Sequence, residues 1–505
     1  MTELFQGLVH ALEPLTMLMM LIGVVGGIIL GAIPGMTGSM GIILLLPLVY
    51  RLDYGPALVT LAAMFCGAMY GGSISAILLR APGHPSAAAT VLDGYPMAQK
   101  GEAGKALGIG VIASVAGGLF SGICLILIAP QLAKVALSFR AAEYFSLSIF
   151  GLTIMASASG KNMVKGLIVG WLGLFLSTVG VDEIWGVNRF SFGQPALMGG
   201  FAILPVLIGL FAFSQIFFDL SKAIKGEEVP KQVIKDVLPN WSDLKRIAIP
   251  VLVGSIIGTM IGIIPGAGGA IACFIGYDVV RRISRNKNKW GTGIVEGIAA
   301  PESANNGTTG GALVPLLTLG IPGDAVTAVM LGALMLVGLR PGPMLFVNHR
   351  EAVYTLLSAF IVMQFVVLIL GLAGTKLWPR VLNIPRNVLM PLIVLCCFVG
   401  AYTLANNVND AMTALVFGVI GYFMRKYGYP APPMILGLIL GPMAENNLNR
   451  ALLISQGDWM ILLRSPISAV FLVLSALSLA FPILSNIRSK VRELLGRSGG
   501  PKPDA

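Results

Sequence analysis

Charge is scarce in this chain. Only 11% of its 505 residues are Asp, Glu, Lys or Arg, where a soluble globular protein carries roughly 25%. So little charge cannot cover a soluble surface, and with 56% hydrophobic residues the class is a polytopic membrane protein. Histidine is scarcer still: His10, His84 and His349 form no H-E-x-x-H or H-x-x-x-H pattern. The five cysteines (Cys66, Cys124, Cys273, Cys396, Cys397) are odd in number, form no C-x-x-C and lie in apolar runs, so they read as packing residues. There is no G-x-x-x-x-G-K-[ST] loop. The nearest string, G-E-A-G-K-A from Gly101, has the wrong spacing and no Ser or Thr after Lys105, so no ATP site is expected. A hydrolase elbow at Gly71-Gly72-Ser73 is not completed and has no visible base, so no catalytic residues are expected. The opening MTELFQ carries an acid where a cleavable signal needs a basic region. The net charge of +11 does not point to nucleic acid, because the basic clusters flank apolar runs without interleaved aromatics.

What the chain has in abundance is apolar length broken by glycine and proline. Its 63 glycines and 30 prolines sit inside apolar runs, the pattern of helices broken at membrane depth. The runs predict an all-α integral membrane bundle of about 10–12 transmembrane helices, with re-entrant hairpins and broken helices among them. Basic clusters set the orientation. One lies within 219–246 (Lys222, Lys225, Lys231, Lys235, Lys245, Arg246), one within 281–289 (Arg281, Arg282, Arg285, Lys287, Lys289), and one in the tail (Arg488, Lys490, Arg492, Arg497, Lys502). All three read as cytoplasmic, and so does the C-terminus. Residues 247–280 therefore leave the cytoplasm and return, broken at Pro265 and its glycines.

The same pattern stands near the N-terminus, where 15–50 is broken at I-P-G-M-T-G from Ile33. A second match follows: Tyr70–Pro85 aligns with Thr309–Ala325, and in both a GG pair precedes a P-G break. The chain reads as a first half, 1–218, with hairpin 15–50, broken helix 56–98 and further spans. A polar cytoplasmic connector, 219–246, follows. The second half, 247–487, has hairpin 247–280, broken helix 300–339 and further spans, and a basic tail covers 488–505. Glu3, Glu13 and a lone Arg51 beside Asp53 flank the first hairpin, whereas cations flank the second. The two copies are expected to face opposite sides, as inverted repeats do in transporters.

Each P-G break ends one helix and starts another, and a helix start at membrane depth offers free backbone N–H groups to a carboxylate. The expected substrate-binding positions are Ser73, Ser75, Gly83, His84, Ser86 and Thr90 around the first break, and Gly323 and Asp324 at the second. Gly35 and Thr37, with Gly266 and Gly268, join them from the hairpin tips. The run A-A-P-E-S-A-N-N-G-T-T-G-G from Ala299 adds the amides Asn305 and Asn306 for substrate. Its oxygens at Glu302, Ser303, Thr308 and Thr309 are the expected coupling-ion positions, for Na⁺ or a proton. Plainer alternatives stand beside these: kinks whose serines bond back to their own helix, and a cytoplasmic loop capped by Ser303. Asn406-Asn407-Val408-Asn409-Asp410 and Glu445-Asn446-Asn447-Leu448-Asn449-Arg450 read as further broken-helix contacts or as ordinary loops. Asp53, Asp93 and Asp278 read as interfacial.

Together these strings resemble the large membrane subunit of the tripartite tricarboxylate transporters, the TctA type. The matching strings are I-P-G-M-T-G from Ile33, Y-G-G-S-I-S-A-I-L-L-R-A-P-G-H-P from Tyr70, I-I-P-G-A-G-G from Ile263, A-A-P-E-S-A-N-N-G from Ala299 and L-G-I-P-G-D-A from Leu319. They span nearly the whole chain in order. Met36 and Thr37 depart from the family's usual P-G-L-G-G, and His84 stands where a small residue or Thr is usual. The resemblance implies partnership with a small four-span membrane subunit and a periplasmic solute-binding protein. It implies import of citrate or other tri- and dicarboxylates across the bacterial inner membrane, driven by a Na⁺ or H⁺ gradient. No ATPase is implied, and no cofactor beyond Na⁺ as coupling ion. A stand-alone carboxylate symporter and an intramembrane enzyme acting on a lipid or acyl chain are the other readings.

Overall fold

The computed structural model describes residues 2–158, 163–182, 184–221, 234, 236–382, 386–403 and 407–480. In chain order the helices are α1 (Thr2–Ala11), α2 (Pro14–Ala32), α3 (Gly38–Val49), α4 (Tyr54–Leu79), α5 (Val91–Met97), α6 (Ala103–Ala136), α7 (Ala141–Ala158) and α8 (Met163–Ser177). Then come α9 (Pro195–Met198), α10 (Ile203–Leu207), α11 (Ser214–Ser221), α12 (Trp241–Ile263), α13 (Gly268–Ile283), α14 (Val295–Leu319), α15 (Ala325–Leu336) and α16 (Leu345–Asn348). The last are α17 (Arg350–Ala373), α18 (Trp378–Val381), α19 (Arg386–Thr403), α20 (Val408–Lys426), α21 (Ala431–Ile454), α22 (Ile461–Arg464) and α23 (Pro466–Ala480). Between α8 and α9 a two-stranded antiparallel ribbon pairs Gly180 with Arg189 and Val181 with Asn188.

Among the described residues six helices are long and apolar enough to cross a membrane: Pro14–Ala32, Tyr54–Leu79, Val91–Ala136, Ile203–Ser221, Trp241–Ile263 and Arg350–Ala373. Five apolar helices of 10–17 residues accompany them. This is an all-α polytopic membrane protein. Apolar runs outnumber full-length helices because proline and glycine cut several of them into pieces too short to cross alone. Of the expected connector 219–246, residues 222–233 and 235 lie outside those described, and the tail 488–505 lies wholly outside them. Its end at 246 is already helix, since α12 starts at Trp241 under a capping box: Asn240 accepts from the Asp243 N–H at 2.9 Å.

The fold divides into two compact units, Met1–Ser138 with Phe201–Tyr427, and Phe139–Gly200 with Gly428–Ala505. Each unit draws on both the 1–218 and the 247–487 segments.

In the first unit two helix pairs touch backbone to backbone. Gly23, Gly27 and Gly31 recur every four residues along one face of α2. A Cβ at Gly23 or Gly27 would lie 2.6 Å from Thr60 O or 2.5 Å from Met64 O of α4, and one at Gly31 would overlap Ala68 O. On α12 the glycines are Gly254, Gly258 and Gly262, and their Cβ atoms would strike the carbonyls of Ala300, Ala304 and Thr308 on α14. Small residues at this spacing are what let membrane helices approach so closely. The opposite face of α12, with Ile249, Leu252, Ile256 and Met260, is exposed, as a lipid-facing stripe should be. Both α4 and α14 are buried almost end to end.

The hairpin breaks also share a conformation. Ile33 and Ile264 each precede a proline and are pushed out of the helical region, at φ −82°, ψ 119° and φ −79°, ψ 115°. The glycine after each proline turns the chain with φ +91° (Gly35) and +82° (Gly266), values open chiefly to glycine. Left-handed residues end both long helices, Arg80 at α4 and Gly320 at α14.

In the second unit the ribbon is tied to α21 by charge. Arg189 meets Glu445 at 2.5 and 3.1 Å and Asp182 at 3.3 Å.

Candidate functional site

The four broken segments of the first unit meet at the hairpin tips. Gly31 O packs against Gly83 so closely that a Cβ there would overlap it. Gly266 N donates to Gly323 O at 2.7 Å. The start of α3 reaches the second break: Ser39 Oγ donates to Ala325 O at 3.3 Å, and a Gly38 Cβ would lie 3.3 Å from Val326. The start of α13 reaches both breaks. A Cβ on Gly268 would lie 3.1 Å from the Asp324 Cβ, and one on Gly269 would lie 2.8 Å from the Ser86 Cβ.

These helix starts differ in what already occupies them. At α15, Asp324 caps its own helix, accepting from Thr327 N at 2.8 Å and from Thr327 Oγ1 at 2.7 Å. That end is thus met by a carboxylate of the protein. At α3 and α13 the preceding residues, Thr37 and Ala267, make no side-chain cap. Their first N–H groups are the ones left for an anion.

Around the first break, Ser86 N donates to His84 Nδ1 at 3.3 Å, with Ser86 Oγ 2.5 Å from the same nitrogen. Ser86 Oγ also lies 3.2 Å from Met69 Sδ, and Asn305 Nδ2 donates to Met69 O at 3.2 Å. Ser86 and Asn305 are thus held on one turn of α4.

Glu302 lies fully buried inside α14. Its Oε1 accepts from Thr90 Oγ1 at 2.5 Å and its Oε2 from Ser114 Oγ at 3.0 Å. It forms no ion pair among the described residues. A buried acid is costly unless hydrogen-bonded, and here two hydroxyls from other segments supply the bonds.

The polar run at 299–311 is not a loop but the interior of α14. It tolerates burial because its side chains bond back to their own helix. Ser303 Oγ donates to Ala300 O (3.1 Å), Thr308 Oγ1 to Asn305 O (2.6 Å), Thr309 Oγ1 to Asn306 O (2.6 Å) and Asn306 Nδ2 to Glu302 O (3.1 Å). Ser73 and Ser75 do the same on α4, to Tyr70 O at 2.7 Å and Gly72 O at 3.5 Å. Gly35 faces α11 rather than the breaks, its Cβ position 3.3 Å from Gln215 Nε2.

The other polar clusters are engaged within their own elements. Asn406 is outside the described residues, and Asn407 accepts from Asn409 N as a helix cap. Glu445 belongs to α21 and the Arg189 pair. Asp278 pairs with Arg282 on the exposed side of α13 at 2.6 Å.

Ser114 and Gln364 escaped sequence reasoning, and Asp93, expected at the interface, is buried instead because backbone N–H groups and Tyr277 satisfy it. Ser114 sits in an apolar run with no motif. Asp93 is wholly buried and accepts from Tyr277 Oη (2.8 Å), Gly291 N (2.9 Å), Gly293 N (2.8 Å) and Ile294 N (3.1 Å), which staples the turn before α14. Gln364 of α17 is buried against α4, donating to Cys66 Sγ at 3.4 Å. Polar residues at buried depth within apolar helices were the available signal.

A family model described as "Tripartite tricarboxylate transporter TctA family" matches residues 17–436. An uncharacterized 52.8 kDa protein in the TAR-I ttuC' 3'region of Agrobacterium vitis is 36% identical over 493 residues, 97% of each chain. An uncharacterized protein in the TAR-II ttuC' 3'region of the same organism is 36% identical over 233 residues, 46% of this chain and 96% of its own. No solved structure matches the chain.

Proposed function

The chain belongs to the tripartite tricarboxylate transporter TctA family, and from that premise we propose that it imports tri- or dicarboxylates, citrate-like compounds among them, on a Na⁺ or H⁺ gradient. The family is one of transporter subunits, not enzymes, and its tripartite name implies further subunits. We take these to be a small four-span membrane protein and a periplasmic solute-binding protein, acting at the bacterial inner membrane with the C-terminus of this chain in the cytoplasm.

The observation that carries the reading is the pair of helix starts without side-chain caps, α3 and α13, which both touch the 324–326 segment. Each such start favours a facing negative charge by about 0.3–1 kcal/mol through its dipole, up to about 2 kcal/mol where partly buried. Two of them hold a multi-carboxylate without any arginine. Ser86, with the His84 ring beside it, adds donors on one side. On this reading the two hairpin-and-break units form an inverted repeat, which brings one hairpin tip from each half to a common substrate. Glu302, hydrogen-bonded by the Thr90 and Ser114 hydroxyls, is the buried acid beside the breaks, and a proton or Na⁺ that neutralises it enters together with the anionic substrate.

The test is uptake by liposomes holding the chain with both partner subunits, using labelled citrate, succinate and malate under imposed Na⁺ or pH gradients. Gradient-driven uptake of at least one of these supports the reading. Uptake that needs ATP, or none with any carboxylate, contradicts it.

A further inference from the structure

The ribbon after α8 is built inside out for a surface in water. Its described charged side chains turn inward: Asp182 is 6% exposed, and Arg189 meets it at 3.3 Å and Glu445 of α21 at 2.5 Å. Ser191 is buried as well. The side chains that face out are Val181, Trp185, Val187, Phe190 and Phe192, the last of them 83% exposed. Single exposed apolar residues are ordinary on a soluble surface. A cluster of them around inward-turned charges marks a surface that meets something apolar.

The backbone holds this arrangement against strain. Phe190 and Phe192 stand at φ +51° and +48°, on either side of buried Ser191. A bulky residue in the left-handed region is an outlier, and such strain persists only where the surroundings fix it. Asp182 fixes the turn that carries Trp185: its Oδ1 accepts from Ile184 N and Trp185 N at 2.8 Å each, and its carbonyl accepts from Gly186 N at 2.9 Å. The Arg189 pair with Glu445 and the bond from Gln194 N to Ser191 O, at 2.8 Å, hold the chain around the two phenylalanines.

What covers these rings follows from α8. Val164, Ile168, Trp171, Leu172 and Phe175 are exposed along one face of that helix, and an exposed apolar face of a membrane helix meets lipid. Phe175 lies at the end nearest the ribbon, its ring centroid 5.2 Å from that of Phe190, so the aromatic face of the ribbon continues the lipid-facing stripe. The helix has use for the extension. Its 15 residues rise about 22 Å, against a hydrocarbon core of about 30 Å. The open edges of a two-stranded ribbon are excluded from the hydrocarbon itself, and indole rings favour the headgroup level. Asn188 and Gln194, exposed among the rings, suit that depth.

We propose that the ribbon is an interfacial anchor, with Trp185, Phe190 and Phe192 seated at the boundary between headgroups and acyl chains beside the end of α8. The partner of this surface is the lipid bilayer. The inference concerns the second unit alone and does not depend on what the chain transports.

The experiment uses the purified full chain, labelled with fluorotryptophan and reconstituted in nanodiscs. Trp185→Phe identifies the Trp185 fluorine resonance among those of the six tryptophans. A lipid carrying a nitroxide just below its headgroup should broaden that resonance more strongly than a gadolinium chelate in the water. Phe192→Asn eases the backbone, because asparagine tolerates the left-handed region. It should elute as wild type on gel filtration, lose part of the broadening by the nitroxide and gain broadening by gadolinium. Stronger broadening by gadolinium in the wild type places the ribbon in water and overturns the anchor. A Trp185 resonance shielded from both probes means that protein covers the ribbon, a second copy of this chain, and overturns it equally. Unchanged broadening in a folded Phe192→Asn contradicts the role given to Phe192.

Discussion

Replacing Gly83 by alanine puts the convergence of hairpin and break under direct strain. Gly83 does not need glycine for its backbone, since its φ is not in the left-handed range. It needs glycine for space. A methyl there would overlap the Gly31 carbonyl oxygen and stand 2.8 Å from Ser75 Oγ, where non-bonded heavy atoms prefer about 3.5–4.0 Å. Backbone cannot rotate out of the way as a side chain can, so α2 and the first break must separate by on the order of an ångström. Overpacking of this kind costs about 1–3 kcal/mol. If the strain falls on the substrate-bound arrangement, that is about 5- to 150-fold in apparent affinity. The assay is carboxylate uptake in liposomes, read as KM and maximal rate, beside gel filtration of the same preparation. Gly83→Ala should elute as wild type and transport poorly. Gly101→Ala provides the contrast, because Gly101 has φ +84° with nothing within 4 Å: it should lose stability through backbone strain and keep its KM. Wild-type KM in Gly83→Ala would refute the reasoning.

Thr90→Val removes a hydrogen bond from buried Glu302 and leaves that oxygen unsatisfied, which should cost about 1–3 kcal/mol of stability. Glu302→Gln in the same background should recover part of that loss, which denaturation of the purified variants measures. Asp93→Asn keeps one acceptor oxygen where the carboxylate offers two to four donors; the 290–294 turn should become protease-sensitive and exchange amide hydrogens faster. Backbone N–H groups of Trp185 and Ile184 hold Asp182 below the usual carboxylate range, with Arg189 beside it. A lowered folded-state value stabilises above the unfolded value of about 3.9 and is lost as pH falls through the folded one. Trp185 fluorescence should therefore stay constant from neutral pH down to about 4 and change only below it, and Asp182→Asn should abolish that acid transition. Cysteines placed at 51–55 and 284–289 should label from opposite sides of the membrane. Labelling from the same side contradicts the inverted arrangement.

The helical membrane class and the places where helices break were legible because they depend on local chemistry. Ile33-Pro34-Gly35 and Ile264-Pro265-Gly266 carry their own geometry: proline constrains the residue before it, and glycine permits the turn after it. The P-G breaks at 82–83 and 322–323 were legible for the same reason. What local chemistry did not reveal was the state of each polar atom once helices packed. Glu302, Asn305 and Thr308 read as substrate and ion positions because the run is polar, yet within α14 the side chains of Ser303, Asn306, Thr308 and Thr309 bond back to their own helix. Asp324 looked like a residue waiting for a ligand, and it caps its own helix. Ser114 and Asp93 meet their partners across 188 residues and about 200 residues of chain, a separation no pattern in one segment encodes. The Asn305 amide likewise donates to Met69 O, 236 residues away.

The central claim is that this chain moves a carboxylate together with a cation through the point where the two hairpin tips meet the breaks. Flux of labelled carboxylate into liposomes bearing the assembled system, with a Na⁺ gradient and a pH gradient imposed separately, measures it most directly. The account predicts uptake that a Na⁺ or a pH gradient drives, that Gly83→Ala depresses, and that needs no ATP. Uptake indifferent to both gradients, or unchanged in Gly83→Ala, would contradict it.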